Sequence, residues 1–138
     1  MLRRLNEKHE DILHILSNLA EESADNKPII VEGKKDVEAL RGFGITGPII
    51  TVKTRGKSFF RTLGEMEQAN PVEVILLMDF DKRGREATAW FAQSLERARI
   101  KPNVTYWRAL HGKVGREVQS IESLTSYMRT LEQKANGL

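Results

Sequence analysis

The sequence predicts one α/β domain, a roughly four-stranded parallel sheet flanked by helices. Two observations carry this. Short apolar runs of about five residues alternate with helical segments of about ten, the signature of βαβ units. The runs around Ile29 and Val74 are almost continuously apolar, as parallel strands covered on both faces must be. A length of 138 residues suits one domain with a single core.

The elements follow in order. Leu5, Ile12, Leu16 and Leu19, with His9 in the one gap, form the narrow apolar stripe of an amphipathic helix over residues 1–26, closed by Ser23, Asp25, Asn26 and Pro28. The stripe either packs on the domain's own core or, being seam-like, serves a homodimer or another protein partner. Residues 27–138 form the domain proper. Pro28–Val31 is the first strand, followed by a helix from Lys34 to Arg41 that ends at Gly42 and Gly44. Pro48–Val52 is the second strand, and Phe59–Gln68 a helix stopped by Asn70 and Pro71. Val72–Met78 is the third and most apolar strand, Glu86–Arg99 a long helix, Asn103–Trp107 a fourth strand and Glu122–Lys134 a closing helix.

Composition sets outer limits. There is no cysteine, which excludes disulfides and thiolate metal sites. The N-terminal segment carries Glu7, Glu10 and Asp11 where a signal peptide or membrane span needs unbroken apolar sequence, so a cytoplasmic protein without membrane attachment is expected. A net charge of +3 permits nucleic-acid binding without demanding it.

The placement of charge says more. In open parallel sheets ligands bind beyond the carboxyl ends of the strands. There the sequence puts Glu32, Gly33, Lys34, Lys35 and Asp36, then Arg55 and Lys57, then Asp79, Asp81, Lys82, Arg83, Gly84 and Arg85, and finally Arg108, His111 and Lys113. Carboxylates inside a basic rim suit a metal-assisted phosphodiester site. The acids fix a hard divalent cation, and the surrounding cations attract a phosphate backbone. Asp79 and Asp81 stand two apart at the end of an extended run, so their side chains are expected on one face, roughly 6–7 Å apart along the chain. Two like charges that close call for a shared cation or proton. Gly84 allows a tight turn into the following helix, whose first N–H groups suit a phosphate oxygen. Glu32, from a neighbouring strand end, is the best-placed general acid or base; a helix-N-terminal acid favoured by the dipole is the alternative. Tyr106 and Trp107 either stack on a base beside the rim or bury at least one ring in the core.

These residues resemble the Toprim domain shared by type IA and type II topoisomerases, primases, 5S ribosomal RNA maturases and old-phage-type nucleases. The resemblance rests on IIVEGKKDVEAL and VILLMDFDKRGREA and spans roughly residues 28–110. It implies a Rossmann-like Toprim fold. Glu32 then matches the family's acid/base glutamate, Asp79 and Asp81 its metal-coordinating aspartates, and Gly33 and Gly84 its turn glycines. Asp36 looks like the aspartate of the primase-like form. Arg85 stands where topoisomerases carry a glutamate, and the chain lacks both a topoisomerase tyrosine region and the other domains of a primase. A haloacid-dehalogenase-like phosphatase would carry Asp-x-Asp on its first strand, and a calcium loop would need ligands at Arg83 and Trp90; neither fits. The resemblance implies Mg²⁺ (Mn²⁺ as a substitute) and RNA or DNA as partner. Two functions stay open. One is a nuclease using Glu32, Asp79 and Asp81. The other is a non-catalytic RNA- or DNA-binding module, an accessory subunit in replication, repair or RNA processing. Lys34, Lys35, Arg55, Lys57, Lys82, Arg83, Arg85, Arg108 and Lys113 contact the nucleic acid in either case.

Overall fold

The computed structural model describes residues 2–52 and 58–137; Arg55 and Lys57 lie outside them. The element order is α1 (Leu2–Ala24), β1 (Ile29–Val31), α2 (Lys34–Gly42), β2 (Ile49–Thr51), α3 (Phe59–Ala69), β3 (Glu73–Leu76), α4 (Lys82–Arg97), β4 (Lys101–Asn103), α5 (Thr105–Val114) and α6 (Leu124–Ala135). The four strands form one sheet in the order β2-β1-β3-β4, and every neighbouring pair is parallel. This is the α/β, Rossmann-like architecture expected from the sequence.

Alternation along the strands divides the core into two layers. Ile29 and Val31 of β1 and Ile75 and Leu77 of the β3 run face a layer shared with residues of α1, α2, α5 and α6. Ile30, Val74, Leu76 and Met78 face the other layer, where α3 and α4 supply Met66, Ala87, Phe91 and Leu95. Both faces are covered, which is why these runs read as continuously apolar.

The N-terminal stripe is spent on the domain's own core. Ile12, Leu16 and Leu19 are buried against the layer containing α5 and α6, and burying each such side chain contributes about 1.5–3 kcal/mol. Lys113 Nζ meets Asp11 at 2.8 Å, Lys8 meets Glu117 at 3.4 Å, and the Gly47 N–H donates to Ser23 Oγ at 3.1 Å. Most of the stripe is therefore covered by the domain's own core, with Leu5 half-buried at its edge, and residues 2–24 pack against α5 and α6.

Three differences from the expected boundaries bear on the site. β3 ends at Leu76, although the Leu77 N–H still reaches Ile30 O at 2.9 Å. α4 begins at Lys82, four residues before the expected start, because Asp81 caps it: Oδ1 accepts from the Gly84 N–H at 2.8 Å. The fourth strand is Lys101–Asn103, and Thr105–Val114 is a helix. Asn103 Oδ1 accepts from the Thr105 N–H at 2.9 Å, a local turn that stops the strand. Trp107, Leu110 and Val114 then bury one helical face. Tyr106 turns toward α1, where burial and a hydrogen bond with Glu22 push its hydroxyl up to about 12. Neither Tyr106 nor Trp107 is a free stacking ring at the end of a strand.

At the amino edge of the sheet lies a polar cluster. Buried Glu73 accepts from Asn103 Nδ2 at 2.8 Å and lies 3.5 Å from Lys101 and 3.9 Å from Lys27. Burial alone would raise the Glu73 carboxyl; the Asn103 hydrogen bond and the two lysine charges outweigh it and hold the carboxyl below its usual range. A depressed folded-state pKa gives stability that is full above the unfolded value, about 4.3, and lost as pH falls through the folded one. Glu73→Gln is expected to cost about 1–2 kcal/mol at neutral pH, and the gap from wild type should close in acid. Urea unfolding at a series of pH values checks this; a gap independent of pH contradicts it.

Among the described residues no helix is long and apolar enough to cross a membrane.

Candidate functional site at the carboxyl edge of the sheet

From β1 the chain moves through α2 to β2 on one side, and from β3 through α4 to β4 on the other. The connections thus diverge between the adjacent strands β1 and β3, and such a switch point opens a crevice at the carboxyl edge. Glu32 follows β1 directly and is buried, only 8% exposed. Ile30 is level with Leu76, so the register, extended, sets Glu32 level with Met78, one residue short of Asp79. The fold therefore brings Glu32 and the Asp79–Asp81 loop to the two lips of one crevice.

The loop is shaped by the residue between the aspartates. Phe80 is 2% exposed and sits 5.9 Å from the Trp107 ring and 5.7 Å from His111. Its N–H donates to Gln119 O at 2.7 Å. Trp107 Nε1 donates to Met78 O at 2.9 Å, fixing the preceding residue as well. Asp79 and Asp81 are both half-buried. The strand has ended before them, so they are not the two same-face positions of an extended run. Asp81 serves α4 as its cap.

Asp36 binds the other lip. Its Oδ2 accepts from the Gly33 N–H at 3.0 Å and its Oδ1 from the Glu122 N–H at 2.8 Å. Burial pushes the Asp36 carboxyl up; the two N–H groups oppose this, and the charges of Glu122 and Glu32 add to the rise. The segment after α5 thus holds both lips, Asp36 through Glu122 and Phe80 through Gln119. Sequence reading gave that segment no role. Buried Val118 and Ile121, two apolar residues three apart among polar neighbours, were its one visible signal.

The two glycines differ. Gly84 lies in the first turn of α4, where an added Cβ would sit 1.8 Å from Asp79 O, so only glycine lets the helix approach the loop. Gly33 has ordinary extended backbone (φ −143°) and open space around it, so the expected steric need for glycine is absent there.

Lys34 and Lys35 are exposed in the first turn of α2, and Lys82, Arg83 and Arg85 in that of α4. Both helix N-termini adjoin the crevice, and their dipoles add to this positive field. Arg108 is exposed on α5 rather than in a strand-end loop. Lys113 lies in the last turn of α5 and is engaged with Asp11, which removes it from the rim.

Among the described residues no three carboxylate or imidazole groups close to metal-holding distance. As placed, Glu32, Asp79 and Asp81 do not form the single three-ligand cluster expected, because Asp81 turns to the Gly84 N–H and Phe80 separates the two aspartates. Their donor chemistry still suits Mg²⁺, which keeps several waters and is bound by one or two carboxylates.

No family model matches the chain. The UPF0292 protein of Methanocaldococcus jannaschii is 36% identical over 126 residues, spanning 91% of this chain and 95% of its own. That of Archaeoglobus fulgidus is 29% identical over 121 residues, spanning 88% of this chain and 92% of its own. A solved structure, a putative protein from Aquifex aeolicus, matches with a TM-score of 0.66 and 25% identity over 80% of this chain and 94% of its own. None of these names states an activity.

Proposed function

The chain belongs to the UPF0292 family, and from the crevice between β1 and β3 we propose that it is a Mg²⁺-dependent, Toprim-type protein that cleaves phosphodiester bonds in RNA or DNA. One observation carries the reading: a buried glutamate and a pair of aspartates follow the two adjacent strands β1 and β3 at the switch point of a parallel sheet, flanked by two helix N-termini bearing exposed Lys34, Lys35, Lys82, Arg83 and Arg85. Asp79 and Asp81 would hold the ion, Mg²⁺ or Mn²⁺, which when bound supplies charge stabilisation at the scissile phosphate. The lysines and arginines of α2 and α4 orient the phosphate backbone. Glu32 moves the proton, protonating the departing oxygen or activating the attacking one.

The test is cleavage of labelled single- and double-stranded RNA and DNA with Mg²⁺ or Mn²⁺. Glu32→Gln removes the proton-transfer group and is expected to slow cutting by about 10²–10⁴-fold while leaving binding in place. Asp79→Asn, which removes a charge from the ion site without emptying space, is expected to abolish metal-dependent cutting. Binding without cutting by the wild type and both variants would overturn the enzymatic reading and leave a nucleic-acid-binding module.

A further inference from the structure

We propose that the groove between α4 and α5 is a subsite for one unpaired nucleotide of the substrate strand. This rests on the crevice being a nucleic-acid site and adds a substrate class to it: a strand with at least one unpaired base beside the point of attack.

The groove has a volume of about 250 Å³. Its floor is Ala89, Ala92, Val104 and Trp107, and Arg85 and Arg108 stand at its rim. Small side chains one turn apart on α4 leave the space open. The lining contains no carboxylate, and neither arginine makes an ion pair or side-chain hydrogen bond among the described residues. Two guanidinium groups facing one apolar groove repel each other until an anion joins them, and their fork geometry matches a phosphate. A flat apolar floor below paired cations suits a nucleobase with its phosphate at the rim. A base pair does not fit so small a space, so the occupant must be unpaired.

Position links the groove to the crevice. Arg85 lies in the turn of α4 that Asp81 caps. Trp107 donates to Met78 O at 2.9 Å and approaches Asp79 O at 3.4 Å. The groove therefore borders the loop that carries both aspartates. A strand whose phosphate lies at Asp79 and Asp81 can seat a neighbouring nucleotide there.

The experiment measures binding of short labelled single strands and matching duplexes, RNA and DNA, by fluorescence anisotropy in EDTA so that nothing is cut. Wild type is expected to prefer single strands about tenfold, the worth of one stacked or buried base. Ala89→Leu fills the groove from an exposed helical position with a residue that favours helix. It should erase that preference by weakening single-strand binding alone. Arg85→Gln and Arg108→Gln should each weaken single-strand binding. Unchanged single-strand affinity in Ala89→Leu, or tighter duplex binding by wild type, overturns the proposal. Should Ala89→Leu not fold, wild type decides: titration with a nucleoside monophosphate must shift the Trp107 indole N–H resonance, and a silent resonance overturns the subsite. A monophosphate that binds as tightly as the oligonucleotide overturns the strand reading in favour of a free nucleotide. Duplex cutting that Glu32→Gln removes, without single-strand preference, would sink the groove and leave the crevice. Groove-dependent binding without cutting would do the reverse, and no nucleic-acid binding at all would sink both.

Discussion

Replacing Phe80 by alanine is expected to cost about 3–5 kcal/mol of folding stability, the usual toll for deleting a buried aromatic ring. If the chain is the proposed nuclease, cleavage should fall as well, even where the chain stays folded. The side chain is 2% exposed and packs against Trp107 and His111. Its ring is also what draws the loop inward while its neighbours Asp79 and Asp81 stay half-exposed. Without it the loop keeps the Phe80 N–H bond to Gln119 but loses its apolar anchor, and the two carboxylates lose their fixed spacing. Phe80→Leu, which retains most of the apolar volume, should cost less, about 1–2 kcal/mol, and keep most of the activity. Urea unfolding and cleavage rates of the two variants check this. An alanine variant as stable as wild type would show that the loop is held by something else.

Gly84→Ala is expected to have the opposite sign from an ordinary glycine-to-alanine change in a helix. Inside α3, Gly64 has open space around it, so Gly64→Ala should stabilise by up to about 1 kcal/mol through helix propensity. At Gly84 the new methyl would lie 1.8 Å from the Asp79 carbonyl oxygen and 2.4 Å from its carbon. Both are backbone atoms, so the helix start or the loop must move, at a cost of about 1–3 kcal/mol or more. The Asp81 cap on the Gly84 N–H is strained by the same movement, and losing it adds about 1 kcal/mol. Thermal unfolding of the two variants side by side gives the answer. Equal and favourable shifts would contradict the close approach of α4 to the loop.

How much of this was legible depends on whether a signal was local and periodic. Ile29–Val31 and Val74–Leu77 announced buried parallel strands because both faces are covered. The N-terminal stripe announced a helix but not its neighbour: a narrow apolar seam looks the same whether it meets α5 and α6 or another chain. Asn103–Trp107 was misread because Val104, Thr105, Tyr106 and Trp107 all favour strands. The Asn103 turn and the burial of Trp107, Leu110 and Val114 override that preference, and the spacing of those three was the available clue. Glu32 and the two aspartates stood out as charges after apolar runs, and the sheet does bring them to one crevice. Their mutual geometry was not legible, since it assumed the strand continued through Asp81. Phe80 fixes that geometry, and in the sequence it is only the residue between two conspicuous ones.

The clamp after α5 has a consequence in time. Glu32, Asp36, Asp79 and Asp81 are all encoded by residue 81, and the four described strands by residue 103. The contacts that settle both lips come from Gln119 and Glu122, and the layer that carries them closes only when α6 packs beside α1. During synthesis the acids are therefore present well before the segment around Gln119 and Glu122 that gives them their shape. Because α1 waits for a partner helix at the far end of the sequence, the loop that must close is nearly the length of the chain, and such long-range closure slows folding. A chain shortened before Gln119 would carry Glu32, Asp79 and Asp81 and still lack the contacts that hold the two lips of the crevice.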